Sequence, residues 1–154
     1  MSYRVKSVSV AKNRKLIIVF LNGVEKQYDI QMLADTYPQF AQLVKDEKLL
    51  QDVQVDVGGY GISWNDMLDI DAEELWDNGQ TTGRVYPLTI QESIGIKLSQ
   101  AREACGMTQK DLAYQTKIAQ ADISKIENGK ANPSLNTLKR LADGMHMGLK
   151  IEFD

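Results

Sequence analysis

Gln120, Ser124 and Lys125 stand with Ala121 in the stretch "AQADISKIENGK", Ala119 to Lys130. At helical spacing these four share one side, whereas Ile123 and Ile126 take the other. An amide can bond both the donor and the acceptor of adenine's edge, an ammonium can bond the acceptors of guanine, and a methyl can meet the methyl of thymine. The polar side is therefore equipped to read base edges in the major groove of a duplex.

Other residues with chemical potential are less well placed. Asp66, Asp69, Asp71, Glu73 and Glu74 form an acidic cluster, but it lacks the glycine and the ligand spacing of a calcium loop. Carboxylates at the start of a helix, opposing the positive end of its dipole, explain it better. Trp64 and Trp76 fit a core or an interface rather than a cofactor platform. His146 has no second ligand or acid partner in view, so a surface or packed histidine is expected. Cys105 falls on the expected inward face of a helix. With no paired nucleophile and base and no phosphate-binding glycine loop, neither an enzyme nor a cofactor is expected, and no metal site.

The elements that must position the base-reading set follow from caps and periodicity. Thr89 with Glu92 forms a capping signature, and Ile94, Leu98, Ala101 and Cys105 line a helix closed by Gly106. Thr108 with Asp111 repeats the signature one helix later. Leu112 and Ala113 on that helix, Ile118 in a turn, and Ile123 and Ile126 beyond it have the spacing of a shared core. Two short helices joined by a tight turn make a helix-turn-helix, whose second helix, about 119–128 here, enters the major groove. Ser134 can cap a last helix with Leu135, Leu138, Leu141, Ala142 and Met145 inward. Leu149, Ile151 and Phe153 alternate with charged residues, a strand signal that needs a partner, either the N-terminal sheet or a second chain.

Upstream the pattern changes. "SVSVAKNRKLIIVFLNGVEKQYDI" gives three strands, with a turn at Asn22-Gly23. "LADTYPQFAQLVKD" is spaced as a helix, with Pro38 suited to its first turn, and "VQVDVGGYGISW" reads as a strand pair. The expected order is βββ, helix, ββ. "DNGQTTGRVYP" has no apolar periodicity and reads as a connector. The boundaries expected are a small α+β domain over 1–78, a linker over 79–87 and a helical domain with a C-terminal strand over 88–154.

Composition narrows the setting. The chain of 154 residues is 43% hydrophobic, ample for packed cores, and its longest apolar run, Leu16 to Leu21, is too short to span a bilayer. One cysteine allows no internal disulfide. With a start that lacks a signal peptide's regions, a cytosolic protein is expected, away from membranes. The net charge of -3 hides an asymmetry: residues 1–85 hold 9 Lys and Arg against 13 Asp and Glu, residues 86–154 hold 9 against 8. A polyanion would bind the second part.

Through "TQKDLA", "ISKIENGK" and "NPSLNTLKRLA", Met107 to Leu141 resembles the lambdoid-repressor (Cro and xenobiotic-response-element type) helix-turn-helix family. The resemblance implies an all-α domain that binds double-stranded DNA. Gln109, Asn128 and Lys130 would contact phosphate, and Arg102 would pair with Glu127. Two positions depart from the family. Lys117 replaces the usual turn glycine, at a cost of about 1–2 kcal/mol for left-handed geometry. Ala119 replaces the usual Ser or Thr, which loses a cap of about 1 kcal/mol and a phosphate contact. In the first half, "VEKQYDI", "FAQLVKDEKLLQDVQVDVGGYGISW" and "DIDAEELW" resemble the domain-of-unknown-function family 2442, which implies no activity; an interaction or sensing module, open to a protein or a small ligand, is the expectation. A DNA-binding transcriptional regulator, a repressor, is expected, dimeric through Leu149, Ile151 and Phe153 because one recognition helix spans few base pairs. The alternative is an antitoxin that binds a toxin protein and regulates its own operon.

Overall fold

Leu16, Ile18 and Phe20 alternate with less buried neighbours along Lys15–Phe20 (β2), the central partner of Val5–Ala11 (β1) and Val24–Asp29 (β3). Both pairings are antiparallel. The turn into β3 is a three-residue loop closed by the Gly23 N–H on the Phe20 carbonyl at 2.9 Å. Gly23 is left-handed, with φ 87°, the geometry that a side chain resists. Asn22 Oδ1 then accepts the Val24 N–H at 3.1 Å, which starts the strand.

In the computed structural model, which describes residues 2–154, the chain divides into two units, 2–87 and 88–154. In the first, Asp29 caps Ile30–Thr36 (α1) by accepting the Gln31 N–H. The expected single helix around Pro38 is instead three short pieces. Tyr37 is extended because the proline ring crowds the residue before it, and Pro38 opens a 3-10 turn leading into Ala41–Lys45 (α2) and, after Asp46, Glu47–Gln51 (α3). A second sheet follows: Gln54–Val55 (β4), Gly61–Asn65 (β5) and Leu68–Asp71 (β6), in that order. Asp71 caps Ala72–Asn78 (α4), with Glu73 and Glu74 in its first turn. That much of the acidic cluster behaves as expected, whereas Asp69 lies on β6 and Asp66 in the turn before it.

The stretch expected as a linker is a strand. Gln80–Val85 (β7) pairs with β3 and completes a sheet of order β1-β2-β3-β7, so the first unit ends at Pro87 and not at residue 78. All six of its residues are exposed, so it has no apolar alternation by which to be recognised. The core of this unit gathers Leu16, Ile18, Phe20, Ile30, Leu43, Ile62 and Leu75. Trp64 is buried and donates its indole N–H to the Leu50 carbonyl at 3.1 Å, and Trp76 stacks on Tyr3 with ring centres 4.0 Å apart.

The second unit is four helices: Ile90–Ala104 (α5), Gln109–Thr116 (α6), Gln120–Glu127 (α7) and Leu135–Gly144 (α8). Thr89, Thr108 and Ser134 cap three of them through their hydroxyls. Leu98, Leu112, Ile118, Ile123, Ile126, Leu141 and Met145 form the core. Two expectations fail here. Leu135 is 65% exposed, because as the first helical residue it lies beyond the packed turn. Cys105 is exposed at the C-terminal cap of α5. Leu149, Ile151 and Phe153 carry no strand within the single chain, so of the two partners expected for them a second chain is the one left open. His146 is exposed in the left-handed turn that ends α8. Among the described residues no helix is long and apolar enough to cross a membrane.

Candidate nucleic-acid interface

The entry to α6 is a reciprocal capping box. Thr108 Oγ1 accepts the Asp111 N–H at 3.1 Å, and Asp111 Oδ2 accepts the Thr108 N–H at 2.9 Å. That backbone bond, with the hydroxyl beside it, holds the Asp111 carboxyl below the ordinary carboxylate range. At the far end Lys117 adopts φ 61° and ψ 24°, the left-handed turn for which glycine would be the unstrained choice. Thr116 supports the turn by donating its hydroxyl to the Leu112 carbonyl at 2.7 Å and accepting the Ile118 N–H at 3.3 Å. Ala119 then opens α7 with no side-chain cap, as its methyl dictates.

The inward side of α7 is fully committed. Ile123 and Ile126 enter the core, and Glu127 is buried against Arg102, with Nε to Oε1 at 2.7 Å. Arg102 also donates to the Met107 carbonyl at 2.8 Å, and Gln109 donates its amide to the second Glu127 oxygen. This network ties α5, the start of α6 and the end of α7 to one another. Two glycines that sequence reasoning passed over make it possible. A Cβ on Gly95 would lie 2.4 Å from the Ile126 carbonyl and 2.5 Å from that of Glu127, so α5 meets the end of α7 only through a hydrogen. Gly129, left-handed at φ 69°, closes α7: its N–H reaches the Ile126 carbonyl while the Lys130 N–H reaches that of Lys125. A glycine inside the α5 periodicity was the available signal for the first.

The outward side carries the residues expected there. Gln120, Ala121 and Lys125 are exposed and Ser124 is half-buried beside them. Of the three side chains expected at phosphate, Lys130 is exposed, but Gln109 and Asn128 are only 7% and 9% accessible. Asn128 spends its amide on the Ser124 carbonyl at 2.8 Å, as Gln109 spends its own on Glu127. Both amides act within the domain, since a buried donor must be paired. The surface of α7 thus offers an amide, a methyl, a hydroxyl and an ammonium on a rigid helix. Each of these groups can bond or touch a base edge.

Comparison with known proteins agrees with this division of the chain. Residues 98–149 match the family described as "Helix-turn-helix", and residues 5–81 match "Protein of unknown function (DUF2442)". No curated protein matches the chain. Among solved structures, that of the Nitrosomonas europaea protein NE0471, provisionally named a DNA binding protein, superposes with a TM-score of 0.39 at 11% identity, covering 90% of this chain and 84% of that one. So remote a likeness decides nothing about this chain, whose own geometry and family matches carry the assignment. With half of its length on the one family and a helix-turn-helix behind it, the chain belongs to the DUF2442 family and carries a C-terminal helix-turn-helix domain.

Proposed function

We propose that the protein is a transcriptional regulator that binds double-stranded DNA sequence-specifically, with α7 in the major groove, and that it acts as a repressor. One observation carries the reading. The inward side of α7 is locked by Ile123, Ile126 and the buried Glu127, whereas Gln120, Ala121, Ser124 and Lys125 line its outward side. A helix that merely packs has no use for that outward set, and base reading has a use for each member. The exposed Lys130 supplies a phosphate contact at the end of the helix.

The working unit is a dimer. A single recognition helix spans too few base pairs for operator-level specificity, and Leu149, Ile151 and Phe153 alternate on a segment with no partner in the single chain. Pairing with the same segment of a second copy would supply the missing ladder. The first unit is then an interaction or sensing module.

The test is a fluorescence-anisotropy titration of the full chain against duplex DNA from just upstream of its own gene, with a scrambled duplex as control, at near-physiological salt. Preference for the upstream duplex by about a thousandfold or more is expected. Absence of binding to either duplex, even at low salt, would overturn the reading.

A further inference from the structure

Gln109 and Asn128 are buried with their amides bonded inside the domain, and Ala119 has no hydroxyl, so the exposed polar groups beside α7 have to be sought elsewhere. Cationic side chains cluster beside the turn between α6 and α7. An open groove of 540 Å³ runs beside α7, lined by Lys117, Ala119, Asp122, Lys125, Asn132 and Arg140 among others. Three cationic side chains face one carboxylate there, a local balance that attracts a polyanion.

We propose that Lys117 and Arg140 form a DNA-backbone anchor at the turn between α6 and α7, which takes phosphate beside the bases that α7 reads. The proposal rests on the DNA-binding reading of this unit. Two independent placements converge on it. Lys117 occupies the left-handed turn position, where a side chain is strained, and its ammonium sits 4.8 Å from the ring centre of the exposed Tyr114. A side chain kept at a strained position suggests a use for that side chain. Arg140, reaching across from α8, donates one guanidinium nitrogen to the Thr116 carbonyl at 2.6 Å, which fixes the fork next to Lys117. Its other N–H groups suit phosphate oxygens, which a guanidinium binds two at a time. The groove is open to solvent, so it fits a passing strand of backbone better than a small enclosed anion. Asp122 in the same groove opposes that strand and weakens its hold.

The experiment is a salt titration of binding to a random-sequence duplex, by anisotropy, for the wild-type chain and four variants. Lys117→Gly should lower the slope of log affinity against log salt by about 1. It should not lower the melting temperature, since glycine suits the turn, and a purely structural role for Lys117 would give the opposite pair of results. Arg140→Gln should lower the slope by about 1 again, and Asp122→Asn should tighten binding to every duplex severalfold. Gln120→Ala should leave the slope as it was. Wild-type slopes in both Lys117→Gly and Arg140→Gln, with wild-type binding intact, would overturn the anchor and spare the DNA-binding reading. A wild-type chain that binds no duplex at low salt would overturn both.

Discussion

Glu127 has no solvent-accessible side-chain surface, so its charge depends on buried partners, Arg102 and Gln109 among them. Removing one partner of a buried pair leaves an uncompensated charge and costs about 3–5 kcal/mol, comparable with the whole stability of so small a domain. Arg102→Ala should therefore unfold residues 88–154 at ambient temperature, read as loss of helical circular dichroism. The exposed residues should behave otherwise, each according to what it touches. Gln120→Ala or Lys125→Ala should relax base preference at one or two operator positions, at about 1–3 kcal/mol each. Lys130→Ala should weaken all sequences alike and lower the salt slope by about 1. Binding profiles over a panel of single-base operator variants separate the two classes, and uniform losses in all three mutants would refute the assigned roles.

Between elements, close approach decides more than periodicity does. Gly95→Ala forces a methyl against two carbonyls of the last turn of α7, so α5 must shift, and a loss of roughly 1–3 kcal/mol is expected in denaturant unfolding of the second unit. In the first unit, β7 has no buried face and depends on its ladder with β3 and on Glu25, which accepts Tyr86 Oη at 2.7 Å and Thr82 Oγ1 at 2.9 Å. The Tyr86 hydroxyl is the main cause that holds the Glu25 carboxyl below its ordinary value of 4.5; burial opposes it, while Thr82 and the nearby Arg84 add to it. A depressed carboxyl contributes stability that is full above its unfolded value and fades as pH falls through the folded one. In thermal melts taken downward through pH 4.5, wild type should thus lose stability that Glu25→Gln lacks from the outset. Parallel curves for the two proteins would mean that the clamp is idle.

At the scale of the molecule, the chain is two units, each with its own core, and Pro87 is where the first ends. The unpaired C-terminal segment, with Phe153 97% exposed, bears on assembly rather than on either core. Light scattering at micromolar concentration should give the mass of a dimer, and replacing Ile151 and Phe153 with lysine should return the monomer with helical content unchanged. A monomeric wild type, with and without DNA, would remove the dimer. Half-sites for a dimer would lie about 34 Å apart or a multiple of it.

Much of this was legible in the residues themselves. Thr108, Asp111 and Ser134 mark helix starts because a cap is a local bond, and Ile118, Ile123 and Ile126 mark a core because helical spacing is local too. The outward side of α7, with Gln120, Ala121, Ser124 and Lys125, follows from the same arithmetic. The strand Gln80–Val85 was not legible, since its order comes from backbone pairing with a distant strand and from Glu25, and its own residues face water. Nor was the burial of Gln109 and Asn128. Sequence spacing alone puts an amide near the interface, but only the packing of α5, α6 and α7 around Glu127 decides whether that amide faces phosphate or pairs inside. Local hydrogen bonds and periodicity are written along the chain, whereas the choice of partner for a polar group belongs to whatever the fold brings beside it.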